Sequence, residues 1–215
     1  MKTHLGKYSC NLKLDPVTAS RHLCLSEGNM KATLRNKQPY PDHPERFDTY
    51  QQVMCGAGLT GRCYWEVEWE DKAYIGVTYR GIRETGDSDD CRLGGNDKSW
   101  SLDCSVERFT ARHRNRSTAI RVCPSLCFSS SSSSSPSGRV AVYLDWPAGS
   151  LSFYSVSSDA LIHLHTFTCT FTEPLHPAIG LDWGWLGCSA SLCQTDVLYP
   201  VFRNTLTGVQ RELLT

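Results

Sequence analysis

Cys63-Tyr64-Trp65-Glu66-Val67-Glu68-Trp69 alternates without a break. Successive side chains of an extended chain point to opposite faces, so Trp65, Val67 and Trp69 share one face and Tyr64, Glu66 and Glu68 share the other. This is the pattern of a strand with one buried face and one wetter face. The signal recurs along the chain, in Ala73-Tyr74-Ile75-Gly76-Val77-Thr78-Tyr79, in Ser99-Trp100-Ser101-Leu102 and in Arg139-Val140-Ala141-Val142-Tyr143-Leu144-Asp145. Pro147-Ala148-Gly149 then predicts a tight reversal, and Leu151-Ser152-Phe153-Tyr154-Ser155-Val156 returns as the second arm of a hairpin. Leu161-Ile162-His163-Leu164-His165-Thr166-Phe167 and Ala190-Ser191-Leu192-Cys193 close the series. No amphipathic helix of several turns accompanies these segments. Many short strands between polar turns predict an all-β chain built as a sandwich of antiparallel sheets.

Three stretches read as long loops. Residues 36–46 carry Pro39, Pro41 and Pro44, and proline denies a β-ladder its hydrogen-bond donor. Residues 80–98 are rich in Gly, Asp and Arg. Residues 127–137 contain the serine run 129–135, which has no apolar surface to bury and is expected to be a disordered surface insertion.

The chain of 215 residues has equal numbers of basic and acidic side chains, 22 of each. Zero net charge argues against nucleic acid as the partner, because phosphate binding normally draws on an excess of Lys and Arg. No apolar run is long enough to span a bilayer, so no membrane partner is expected. The start, Met1-Lys2-Thr3-His4-Leu5-Gly6, lacks the apolar stretch of a secretory signal. A cytoplasmic location is therefore expected, with the 11 cysteines present as reduced, core-filling thiols.

The order of the segments is informative. Leu14-Asp15-Pro16 is followed by Tyr40-Pro41-Asp42-His43-Pro44-Glu45-Arg46-Phe47, then by Leu59-Thr60-Gly61-Arg62-Cys63-Tyr64-Trp65-Glu66-Val67-Glu68 and Tyr74-Ile75-Gly76-Val77. Next come Asn96-Asp97-Lys98-Ser99-Trp100-Ser101-Leu102, Val142-Tyr143-Leu144-Asp145 and Gly149-Ser150-Leu151-Ser152-Phe153-Tyr154. Thr166-Phe167 and Pro174-Leu175-His176-Pro177 complete the set. In this order the segments resemble the successive motifs of the PRY-SPRY family over about residues 14–194. The phrasing is most similar to copies at the C-termini of fish NOD-like receptors and tripartite-motif ubiquitin ligases, and also to the terminal domain of stonustoxin-like proteins. The resemblance implies a bent two-sheet antiparallel β-sandwich, of jelly-roll, concanavalin-like architecture. It divides the chain into a lead-in over 1–13, a PRY segment over 14–58, a SPRY core over 59–195 that includes the loop 127–137, and a tail over 196–215. It also implies a protein-recognition module that binds a protein ligand through loops at one end of the sandwich, in an innate-immune sensor or a ubiquitin ligase. The alternative is a module for a small phosphorylated or carbohydrate ligand, since some butyrophilin members hold phosphorylated molecules in a basic pocket. The serine run and Trp183-Gly184-Trp185-Leu186-Gly187 depart from the family pattern.

Chemical motifs are weak by comparison. Gly56-Ala57-Gly58-Leu59-Thr60-Gly61 spells a dinucleotide-binding pattern, but that motif needs a helix after it and here a strand follows. Cys123 with Cys127, Cys188 with Cys193, and His163 with His165 lack the paired spacing of a zinc site, and the two histidines are expected on one strand face. No G-x-S-x-G elbow is present, and Asp89-Asp90 lies in a polar loop with nothing to desolvate it. Asn115-Arg116-Ser117 matches a glycosylation sequon, read as a chance match in a cytoplasmic chain. No enzyme activity, cofactor or metal is expected.

Candidate ligand-binding residues are taken from the segments between the fixed motifs. They are Tyr40 in 36–46; Arg83 and Asp97 in 80–98; Arg112, His113 and Arg114 in the basic cluster 112–116; and Trp183 and Trp185 in the Gly-rich loop. Loops on a rigid sandwich vary without disturbing its core, and exposed aromatics are efficient binding anchors. Trp65, Trp69 and Trp100 are expected in the core.

Overall fold

The computed structural model describes residues 2–82, 89–105, 107–121, 137–157, 160–182 and 186–194. Alternation along the chain becomes two facing antiparallel sheets. The strands are β1 (Leu23–Ser26), β2 (Lys31–Leu34), β3 (Gln52–Met54), β4 (Arg62–Glu70), β5 (Lys72–Thr78), β6 (Ser99–Ser105) and β7 (Phe109–His113). They continue as β8 (Arg116–Ile120), β9 (Ser137–Asp145), β10 (Ser150–Ser157), β11 (Ala160–Thr168), β12 (His176–Leu181) and β13 (Ser189–Leu192). One sheet has seven strands in the order β1-β2-β13-β4-β9-β10-β11, and the other has six in the order β3-β12-β5-β6-β7-β8. A short helix, α1 (Lys2–Gly6), precedes them.

The core lies between the sheets and follows the predicted facing. Trp65, Val67, Val142 and Phe153 from the seven-stranded sheet meet Ile75, Val77, Leu102, Phe109 and Ile179 from the other. Trp69 packs edge-on to Phe109 at 6.4 Å, and its indole lies over Gly138, its cross-strand partner, where a Cβ would come within 2.8 Å of the ring. Trp100 is a core anchor, edge-on to both Tyr79 and Phe171 at 5.4 Å. Burying aromatic rings of this size supplies much of the hydrophobic driving force.

The connections explain the two-sheet path. Asp71 alone links β4 to β5 and carries the chain from one sheet to the other, with a left-handed φ of 66°. The β9–β10 hairpin turns at Gly149, with φ 68°, as Pro147-Ala148-Gly149 predicts. The N-terminal third contributes to both sheets: β1 and β2 extend the larger one through β13, and β3 forms an edge of the smaller through β12. The glycine-rich 56–61 stretch leads into β4 with no helix, so the turn reading of that motif holds.

Three features differ from expectation. Part of the wetter face of β4 is also buried, with Tyr64 and Glu66 at 1% and 2% exposure, because α1 and residues 7–10 lie over it, while Glu68 on the same face stays exposed. A β-bulge between Phe153 and Tyr154 shifts the β10–β11 register, so His165 pairs with core-facing Phe153 while His163 pairs with Tyr154. The two histidines therefore face opposite sides of the sheet, not one. Finally, Cys10 and Cys63 are joined in a disulfide, with Cα atoms 5.6 Å apart, where all thiols were expected reduced. Sequence spacing gave no sign of this pair, because only the docking of residues 8–10 beside β4 brings Cys10 there. Cys24, Cys55, Cys104, Cys169 and Cys193 remain free, and the serine run lies outside the described residues.

Candidate functional site

The outer face of the six-stranded sheet is set by the same alternation that builds the core. With Ala73, Ile75 and Val77 inward, Lys72 and Tyr74 point outward from β5. Register places Gln52 of β3 beside Gly180 of β12, Gly180 beside Tyr74, and Tyr74 beside Asp103 of β6. The segment 89–95 folds back over this face. Gln52 fastens it there, donating to the Cys91 carbonyl (2.9 Å) and accepting from the Leu93 amide (2.6 Å). Ile82 and Leu93 then pack with Tyr74, Met54, Phe47 and Ala178 in a small second core.

A pocket of about 310 Å³ opens between these elements. Tyr50, Gln51 and Gln52 form one wall, Lys72 and Tyr74 the floor, and Arg92, Leu181 and Asp182 the remainder. Its charges are organised in pairs. Lys72 Nζ bonds Asp182, which also accepts from the Tyr74 hydroxyl at 3.0 Å. The Arg92 guanidinium lies 4.8 Å above the Tyr74 ring and 3.9 Å from Asp103, whose same carboxylate oxygen binds Arg112 Nε. Burial pushes the Asp103 carboxyl above its usual range, with Arg112 and then Arg92 acting against that shift. Burial raises the Tyr74 phenol likewise. Two aromatic hydroxyls, two primary amides and paired charges make a wall that can hydrogen-bond a polar side chain while covering its apolar stem.

The predicted loop segments converge in part. Arg80 clamps Glu45 in a bidentate pair at 2.6 and 2.8 Å, joining 36–46 to the start of 80–98 and holding the Glu45 carboxyl below the usual range. Asn115 Nδ2 donates to Asp89 at 3.0 Å, joining the β7–β8 hairpin to the 89–95 segment. Asp97, His113 and Arg114 come together there, with the Arg114 amide bonded to the Asn96 carbonyl at 2.9 Å. Asp97 and Arg114 are exposed. His113 stacks flat on Trp100, 4.6 Å away and 8° from parallel, and its Nδ1 lies 2.8 Å from the Ser99 carbonyl, so Nδ1 carries the proton. Arg112 lies on the outer face of the six-stranded sheet, partly exposed, with its guanidinium paired to Asp103. Tyr40 is committed to scaffolding: its hydroxyl donates to Leu23 O (3.0 Å), and Arg46 lies 5.0 Å over its ring. Arg83, Trp183 and Trp185 lie outside the described residues. Sequence reading missed the pocket residues, because Tyr50, Lys72, Arg92 and Asp182 belong to four separate segments and only strand register unites them.

A β-sandwich with a polar pocket on one sheet face and ion-paired loops at its rim is the architecture of a binding module. A family model for PRY, the SPRY-associated domain, matches residues 12–59, and the SPRY domain model matches residues 62–195. The chain belongs to the SPRY domain family. It is 44% identical over 178 residues to stonustoxin subunit beta of Synanceia horrida, an alignment that covers 82% of this chain and 24% of that one. It is 37% identical over 180 residues to tripartite motif-containing protein 16 of Mus musculus, covering 82% and 30%. Among solved structures, stonustoxin superposes with a TM-score of 0.74 at 42% identity, over 88% of this chain and 28% of that chain. The PSpry domain of TRIM65 superposes with a TM-score of 0.76 at 26% identity, over 90% and 95%. This chain spans about a quarter of the length of the toxin subunits it matches. In tripartite-motif proteins the SPRY domain is a protein-interaction module and not a catalytic one.

Proposed function

We propose that this chain recognises a protein ligand, gripping it with the loop-lined rim and seating one ligand side chain in the pocket between Tyr50, Tyr74 and Arg92. The observation that carries this reading is the pocket itself, lined by Lys72 and Tyr74 of β5 and bordered by a segment fastened through Gln52. Its volume lies at the low end of small-ligand sites, enough for a side chain or two. Lys72 pairs with Asp182, and Arg92 and Arg112, the first residue of the sequence's basic cluster, share the one Asp103 carboxylate, so three cations meet two carboxylates and a single net positive charge is left to draw a phosphate. That weak field favours a protein over a small anion. The same reading makes the domain the recognition arm of a cytoplasmic innate-immune sensor or ubiquitin ligase. The free thiols of Cys24, Cys55, Cys104, Cys169 and Cys193 support a reducing compartment and the Cys10–Cys63 bond argues against one, so fractionation of cells making the tagged protein decides between them.

Affinity purification with mass spectrometry identifies the ligand, and titration of purified variants against it tests the site. Tyr50→Ala is expected to weaken binding by about 2 kcal/mol, the usual size for an aromatic anchor, with no matching fall in the unfolding midpoint. Arg114→Glu on the exposed rim is expected to change the association rate and its salt dependence. If both bind as wild type does, the ligand sits elsewhere.

A further inference from the structure

The outer face of the seven-stranded sheet carries a second, independent feature. Tyr64, Ala141, Tyr143, Tyr154, Val156 and Leu161 form an apolar, tyrosine-rich surface there, and Leu5 and Tyr8 of the N-terminal segment cover it. Residues 8–10 run beside β4 through a parallel bridge between Ser9 and Tyr64. The Tyr64 amide donates to the Tyr8 carbonyl at 2.8 Å, and the Cys10 amide donates to the Tyr64 carbonyl at 3.1 Å. Lys2 Nζ reaches the buried Glu66 carboxylate at 3.1 Å.

These non-covalent contacts are few. A helix as short as α1 does not persist by itself in water, and ordering residues 2–10 costs entropy comparable to what a handful of such contacts returns. One covalent tie is added to them, the Cys10–Cys63 bond. We propose that this bond is a redox latch: closed, it holds residues 2–10 over the tyrosine-rich face; opened by a small thiol of the glutathione class, it releases them and uncovers that face. The two ends of the bond differ in access. Cys63 is 1% exposed within the core, whereas Cys10 is only partly buried, so the attacking thiolate reaches the Cys10 sulfur. That attack forms a mixed disulfide on Cys10 and expels Cys63 as a thiolate, which takes up a proton. A second small thiol then displaces Cys10, which leaves as a thiol. In sum two small thiols are oxidised to one disulfide and their two electrons reduce the Cys10–Cys63 bond.

Three other described thiols, Cys55, Cys104 and Cys193, do not compete for the role. Burial pushes Cys55 up to about 12 and Cys193 up to about 11, and Cys104 well above its ordinary range, so they stay protonated and inert.

Hydrogen exchange on the full 215-residue chain tests the latch. The protein is compared as isolated without reductant and after incubation with millimolar glutathione, with the state of the Cys10–Cys63 pair read by mass in each. On reduction, exchange of the amides of residues 2–10 and of Tyr64 is expected to accelerate by about tenfold or more, while β5 and β12 keep their protection. Cys10→Ser is expected to show the fast pattern without reductant and to ignore it. Three outcomes overturn the proposal: equal protection of residues 2–10 in both states, a bond that glutathione leaves intact in the folded protein, and loss of protection throughout both sheets.

Discussion

At the residue scale, His113 shows how packing sets chemistry. Its ring lies flat on Trp100, and burial lowers its pKa, with the Ser99 carbonyl opposing that shift and the Arg114 charge adding to it. Above about 6.5, the ordinary histidine value, both the folded and unfolded chains hold it neutral and its contribution to stability is complete. As pH falls through that value and then through the lower folded value, the unfolded chain takes the proton first, and stability is lost. His165 shifts in the same direction, through burial first and the nearby His163 second. The unfolding midpoint is therefore expected to fall as pH drops from about 7.5 to about 5.5. His113→Phe, which keeps a flat ring against Trp100, is expected to show a shallower fall; an unchanged profile would assign the proton to other groups. The sequence identified His113 as a residue worth attention through its basic neighbours. It gave no indication that Arg112 is paired along the outer sheet face, because the Asp103 it meets is on another strand.

At the element scale, the two sheets are joined by abrupt corners. Asp71 is the clearest, a single residue between β4 and β5 held at φ 66°. Left-handed backbone is tolerable for aspartate, free for glycine and unfavourable for a β-branched side chain. Asp71→Val is expected to destabilise the fold by about 1–2 kcal/mol and Asp71→Gly to leave it unchanged or slightly more stable, measured by chemical unfolding. Equal effects of the two would place the strain elsewhere. Strands β4, β5, β9, β10 and β11 were legible because their alternation is long and includes Trp, Val and Phe. Strands β1, β2 and β3 were not: three or four residues of mixed polarity carry too little periodicity, and they are strands only because β13 and β12 offer them a ladder. The bulge in β11 was hidden for a related reason, since Leu164 reads as ordinary alternation until pairing with β10 skips it.

At the scale of the whole molecule, the connection between β8 and β9 passes from one sheet to the other and contains the serine run. Deleting 129–135 leaves a connection that still reaches about 30 Å, against a sheet separation of about 10 Å. Loop entropy grows slowly with length, so this deletion is expected to change stability by less than about 1 kcal/mol. A large drop in the unfolding midpoint would mean that the run is packed. The sequence by itself determined the fold class and the inward face of the long strands other than β11, whose bulge breaks the alternation, because period-2 alternation is a local property of the chain. The order of its motifs carried the family. Only the tertiary structure decided what covers each outward face: α1 over Tyr64 and Glu66 on one sheet, the 89–95 segment over Tyr74 on the other. The pocket and the Cys10–Cys63 pair were decided at the same level. Local patterning fixes which way a side chain points, but what it meets there depends on long-range register, which joins residues dozens of positions apart.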